Sequence, residues 1–192
     1  MSNIFTTERL SIRMFRPEDF KDLAEILTDK EVTYFEPYET FTEEACVQEA
    51  VKFSLSNEFF AVVLENKVIG KIYFSERSGG NCELGYTFNA EYQGKGYAYE
   101  SVKGMLDHAF VNLKSRRIFA EINARNLRSV KLAERLKMRK EAEFAELLPR
   151  KENKEIFDNM YVFALLRNEY LLLNADKQTH NSVSYTHLRA HE

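Results

Sequence analysis

The chain has 192 residues, 44% hydrophobic and 13% aromatic, which is enough apolar material for one domain with a real core. A formal net charge of -3 with no basic cluster argues against a generic nucleic-acid binder, because neutralising phosphates needs a basic face. Two cysteines, Cys46 and Cys82, make neither a disulfide framework nor a metal cluster, and no apolar run reaches the ~18 residues of a membrane span. A cytoplasmic protein without a resident metal or a membrane attachment is expected.

Leu10, Ile12 and Met14 alternate with Ser11 and Arg13, the period of a half-buried strand. Pro17 suits the first turn of a helix, with Glu18 and Asp19 favouring its N-terminal dipole and Phe20, Leu23, Ala24 and Leu27 forming an apolar stripe. Tyr34 to Phe41 is aromatic and irregular, a loop placed to hang over a cleft. Thr42, Glu43 and Glu44 then cap a second helix whose apolar positions read as Val47, Val51 and Leu55. Two β-rich runs, Phe59 to Leu64 and Val68 to Phe74, flank the turn Glu65-Asn66-Lys67 as a hairpin, and the turn Ser78-Gly79-Gly80-Asn81 adds a third strand, Cys82 to Phe88.

From Ala98 onward, Val102, Met105, Ala109 and Leu113 fall at helical spacing over about four turns. A strand (Arg117 to Ile122), a helix (Ser129 to Leu136) and two strands (Ala142 to Leu148 and Phe157 to Leu166) complete the pattern. Residues 1–176 therefore read as a single domain. Residues 177–192 include NSVSYTHLRAHE, which has neither period, and read as a disordered, non-native tail.

The most informative stretch is Gln93-Gly94-Lys95-Gly96-Tyr97-Ala98, between a strand and an amphipathic helix. Its glycines let the backbone turn tightly, and the amides and dipole at a helix start favour an anion, so the loop is a pyrophosphate cradle or else a simple glycine turn. The Rossmann fingerprint needs a small residue where Tyr99 stands, and a P-loop needs Ser or Thr where Gly96 stands.

The loop resembles the Q/R-x-x-G-x-G/A signature of the GNAT superfamily of N-acetyltransferases, with Gln93, Gly96 and Ala98 in the defining positions. Thr7-Glu8-Arg9-Leu10, Glu83-Leu84-Gly85-Tyr86 and Asn126-Leu127-Arg128-Ser129 extend the likeness along nearly the whole chain, toward the RimJ/RimL-type branch. The resemblance implies an α/β (α+β) fold, the acyl-CoA N-acyltransferase fold, with a mixed, mostly antiparallel central sheet flanked by helices. It implies that the sheet splays beside the strand carrying Glu83, with the pantetheine arm of acetyl-CoA in the opening and Phe88, Gln93, Gly94, Lys95, Gly96, Tyr97, Ala98 and Asn126 around the cofactor.

An ammonium has no lone pair with which to attack a thioester, so a proton must leave on binding. The resemblance makes Glu83 the candidate base, against the alternative of an exposed strand carboxylate. The likeness to RimJ/RimL-type relatives, which carry an acid serine at this position, implies Ser129 as the candidate acid for the departing thiolate, while the tyrosine that many other relatives place on the last helix is absent. Helix capping accounts equally for Ser129 and Asn126. Leu136-Lys137-Met138 departs from relatives that end this helix on glycine. Lys95, Arg128 and Lys131 are either phosphate partners or solvated groups, and Tyr34 to Tyr38 either line the acceptor pocket or pack. The implied acceptor is an amine, a peptide N-terminus such as that of a ribosomal protein or a small amine, and a homodimer is an open possibility. The rival readings are a non-catalytic acyl-CoA-binding module and a structural domain with an accidental glycine turn.

Overall fold

A computed structural model of the chain describes residues 3–175, so the expected tail lies outside the described residues. Its strands are β1 (Phe5–Thr6), β2 (Leu10–Met14), β3 (Phe59–Leu64), β4 (Lys67–Arg77), β5 (Asn81–Phe88), β6 (Arg117–Asn123), β7 (Arg139–Pro149) and β8 (Phe157–Leu166). Its helices are α1 (Phe20–Leu27), α2 (Glu43–Leu55), α3 (Tyr97–Asp107) and α4 (Leu127–Arg135), with a helical stretch at residues 167–175. The strands form one sheet in the order β1-β2-β3-β4-β5-β6-β8-β7. Among the described residues no helix is long and apolar enough to cross a membrane.

Every neighbouring pair runs antiparallel except β5 and β6. That parallel ladder holds only Asn81↔Arg117, Cys82↔Ile118 and Glu83↔Phe119, after which β5 continues to Phe88 and β6 to Asn123 without pairing to each other. The expected splay is therefore present, beside the expected strand.

Two apolar layers fix the sheet. On one face α3 buries Val102, Met105, Leu106, Ala109 and Phe110 against Ile72, Leu84, Ile118 and Phe163, and α4 adds Ala133 and Leu136. On the other, Leu23, Ile26 and Leu27 of α1 and Cys46, Ala50 and Phe53 of α2 pack on Ala61, Val63 and Val68. The α3 stripe is as expected as far as Ala109. There the helix widens into a π-helical turn, His108–Asn112, and Leu113 is left exposed.

Helix α2 differs from expectation. Val47, Val51 and Leu55 face outward, at 44%, 41% and 84% exposure, while Cys46, Ala50 and Phe53 turn inward. Phe53 sets the rotation: its ring stacks on Phe59 at 4.1 Å and meets Phe15 at 5.3 Å, a contact that hydrophobicity along the helix does not encode. Other differences are of extent. β7 begins at Arg139 rather than Ala142, α4 spans Leu127–Arg135 rather than Ser129 to Leu136, and the short β1 lacks a sequence pattern long enough to read.

The end of α4 resolves the missing glycine. Lys137 takes φ 65°, Lys137 N donates to Glu134 O at 2.9 Å and Met138 N to Ala133 O at 3.0 Å. These are the two bonds of a Schellman ending, built on a side chain that disfavours the left-handed region. Lys137→Gly is expected to raise stability by about 0.5–1 kcal/mol, read as a higher urea midpoint at unchanged m.

Gly70 on β4 lies under the ring of Phe88, where a Cβ would come within 2.5 Å of Cδ1. Gly70→Ala is expected to cost about 1–3 kcal/mol by overpacking, measured in the same denaturation series.

Candidate active site

The glycine loop between β5 and α3 is anchored at both ends. Asn89 Oδ1 accepts from Glu91 N at 3.0 Å and starts the tight turn Ala90–Tyr92. Gln93 Nε2 then donates to Phe88 O at 2.9 Å, and Gln93 Oε1 accepts from Arg128 of α4, tying the two helix starts together. Gly94 and Gly96 take φ 74° and 86°, which a residue with a Cβ adopts only under strain. No atom lies within 4 Å of the point where a Cβ on Gly94 would sit, so the space above the loop is open.

Gly96 caps α3 without a side-chain acceptor, and its carbonyl accepts the first helical bond, from Glu100 N at 3.0 Å. The amides of the first turn therefore present their hydrogens outward with the helix dipole behind them, an arrangement that fits a diphosphate. The opening motif supports the cradle from behind. Thr7 Oγ1, Arg9 N and Arg9 Nε bind the Glu100 carboxylate at 2.6, 2.8 and 2.7 Å, and Arg9 Nη1 reaches Lys95 O at 3.2 Å. Burial alone would raise the Glu100 carboxyl, but these donors hold it below its ordinary value.

On the other side of the sheet the splay opens into a cavity of about 790 Å³. Its floor is β4, β5 and β6, its end wall is the start of α4, its roof is the segment Tyr34 to Glu39, and its far wall is the β7–β8 turn. Glu83, Asn126 and Ser129, separated by up to 46 positions in the sequence, all line it. Asn126 is the helix cap: its Oδ1 accepts from Ser129 N at 3.2 Å. Ser129 therefore does not cap α4, and its side chain lies within hydrogen-bond reach of Tyr86. The side chain of Phe88 is buried in the core, so this residue meets the loop only through its carbonyl.

The roof is strapped down. Glu36 accepts from Thr87 Oγ1 at 2.7 Å and pairs with Lys71 Nζ at 3.5 Å, the lysine being only 3% exposed. Lys151 Nζ donates to Thr33 O at 2.8 Å and Tyr38 O at 2.5 Å, and burial lowers its pKa. Tyr34 donates to Glu152, and Arg125 joins Tyr34 at 3.2 Å to Asp158 at 3.2 Å. The Tyr38 hydroxyl is buried without a hydrogen bond, and burial holds it well above the usual phenol range. The aromatic run is thus a cavity wall.

Two residues that the sequence does not single out, Arg77 and Glu121, join Tyr86 of the strand motif at this site. Arg77 holds Glu83 Oε2 through Nη2 at 2.6 Å and Nε at 3.0 Å. Tyr86, pushed up to about 12 by burial, directs its hydroxyl to Ser129 O at 3.4 Å. Glu121 on β6 faces the cavity, and desolvation, reinforced by the charge of Glu83, raises its pKa. Alternation along Arg117–Asn123 puts Phe119 and Glu121 on one face, but only the parallel register identifies that face as the one Glu83 occupies. His108 lies elsewhere, stacked on Phe5 at 5.5 Å.

A family model described as an acetyltransferase (GNAT) domain matches residues 9–139, more than half of the chain. The chain is 34% identical over 169 residues to the uncharacterized N-acetyltransferase YnaD of Bacillus subtilis (strain 168), an alignment covering 86% of this chain and 98% of YnaD. The crystal structure of a GNAT-family acetyltransferase from Bacillus anthracis superposes with a TM-score of 0.79 at 32% identity, covering 85% of this chain and 98% of that one. The ribosomal-protein-S5-alanine acetyltransferase from Vibrio fischeri follows at a TM-score of 0.71 and 25% identity, covering 86% and 97%. With its splayed sheet, its glycine cradle and these relatives, the chain belongs to the GNAT family of acetyltransferases.

Proposed function

We propose that the protein transfers the acetyl group of acetyl-CoA to a primary amine by direct attack, and that the acceptor is the N-terminal α-amine of a protein. The observation that carries this reading is the meeting, at one splay, of an anion cradle on one side and a cavity lined by Glu83, Asn126 and Ser129 on the other. The similarity to the S5-alanine acetyltransferase supports the choice of acceptor.

The cosubstrate supplies an activated acetyl group whose leaving group is a thiolate. Gly94 to Ala98 hold its diphosphate through backbone amides, with Lys95 as a neighbouring point charge and Gln93 fixing the loop to α4 through Arg128. Asn126 fixes the start of α4. The Ser129 hydroxyl, beside Tyr86, donates to the leaving sulfur. The carboxylates at the mouth of the splay, Glu83 first among them by sequence, hold the acceptor ammonium and receive its proton.

Calorimetric titration of acetyl-CoA into the full chain is expected to show micromolar binding that Gly96→Glu abolishes. That variant places a charged side chain on a left-handed backbone, where a Cβ already meets Arg9 Nη2 at 3.3 Å. No binding to the wild type sinks the proposal. Binding without thiol release, in a panel of alanine-terminated peptides, spermidine and lysine, supports a non-catalytic acyl-CoA module instead.

Ser129→Ala is expected to lower kcat about 10-fold, or ~1.4 kcal/mol, with KM for the amine unchanged. Steady-state kinetics with the peptide of the panel that turns over reads this. An unchanged kcat removes Ser129 from the chemistry.

A further inference from the structure

Amine acylation needs a group that gains and loses a proton near neutrality, and the splay presents two carboxylates in unlike surroundings. Register puts them together: Glu83 pairs with Phe119, so Glu121, two residues further along β6, projects from the same face of the sheet into the same cavity. Glu83 Oε2 already accepts two N–H groups of Arg77, whose Nη2 also binds Tyr73 Oη at 2.7 Å and so fixes the guanidinium. The Glu121 side chain makes no hydrogen bond or ion pair among the described residues, its backbone alone being held in the β6–β8 ladder.

We propose that Glu121 takes the ammonium proton of the acceptor while Glu83, clamped by Arg77, holds the ammonium beside it. The proposal rests on the acetyl-transfer reading of this site and divides between two residues the role that sequence assigns to Glu83 alone. One N–H proton passes to the Glu121 carboxylate. The nitrogen lone pair then forms the C–N bond to the acetyl carbon, and the C–S bond breaks with its electron pair on sulfur. A second N–H proton ends on that sulfur, beside Ser129, and Glu121 returns its own proton to solvent. Two carboxylates in unlike surroundings are a general way to divide acid and base work within one site.

The charged groups around Glu121 favour this division. Glu83 on β5 raises its pKa after desolvation has done so, and Arg77 on β4 opposes both. Asp158 on β8 is held by Arg150 at 2.7 Å and Arg125 at 3.2 Å, and Glu36 of the roof by Lys71 and Thr87. On the β7–β8 turn, Lys151 is bound to two backbone carbonyls.

The first test is a carboxyl-carbon NMR titration of glutamate-labelled full-length protein. The highest-titrating cavity glutamate is expected to vanish in Glu121→Gln, and to persist in Glu83→Gln with its midpoint lowered, because the repulsion is gone and Arg77 is released. A highest-titrating signal that survives Glu121→Gln overturns the proposal, and so does one unmoved by Glu83→Gln. The second test is the pH dependence of kcat/KM with an alanine-terminated peptide and spermidine as probe acceptors. Glu121→Gln is expected to lower kcat by roughly 10²–10⁴-fold and erase the acid limb, whereas Glu83→Gln raises KM and keeps the limb. An acid limb lost in Glu83→Gln and kept in Glu121→Gln returns the base role to Glu83. Failure of acetyl-CoA to bind sinks acetyl transfer itself, and the NMR titration, read on the protein alone, still decides which carboxylate carries the proton.

Discussion

The structure depends on a ladder that stops. Three parallel pairs join β5 to β6, and beyond Glu83↔Phe119 the strands part. Parallel pairing is evenly spaced and would continue if nothing stood between the strands. Here the start of α4 and the side chain of Tyr86 occupy the wedge, with Tyr86 Oη 3.4 Å from Ser129 O. The facing backbone groups of β5 and β6 lose their ladder partners there, and an exposed strand edge is the kind of surface to which an extended arm bearing amides can add. On the proposed reading that arm is pantetheine, and the splay is what lets a thioester pass from the cradle on one face to an amine on the other.

The cradle and the roof are held by different physics. Behind the cradle, Glu100 collects Thr7 and Arg9, so a motif at the start of the chain braces a loop about ninety positions away. Exposed pairs of this kind contribute little singly, yet here one carboxylate accepts three donors, which fixes geometry more than it adds stability. The roof relies on buried polar groups. Lys71 and Glu36 face each other under the aromatic segment, and removing one of them would leave an unpaired charge in the interior. Lys151 spans from the β7–β8 turn to two carbonyls of the roof, so the cavity keeps its shape through bonds to backbone as well as through packing.

Much of this was legible in the sequence. The β3–β4–β5 meander followed from alternation and two short turns, and the α1 and α3 stripes from period. The glycine loop, with the likeness it carried, pointed to the start of α3 and to Glu83 on the strand before it. Asn126 and Ser129 stood out together in the sequence, and the tertiary structure decides only which of them caps α4, the Asn126 side chain on Ser129 N. The resemblance put Phe88 around the cofactor, and its side chain packs against Gly70.

The sequence by itself determined what is local: element types, the left-handed glycines before α3 and the alternation that sends Glu83 to one face of β5. Tertiary structure decided everything that depends on which surfaces meet. It turned α2 so that Phe53 rather than Val47 and Val51 is inside, because rings on Phe15 and Phe59 were waiting there. It gave Lys137 a left-handed turn without glycine, since the two closing bonds outweigh its strain. It brought Glu121 to Glu83 and set Arg77 on one of the pair, because a register between strands separated by a whole helix is fixed by packing and leaves no mark in the pattern of either strand alone.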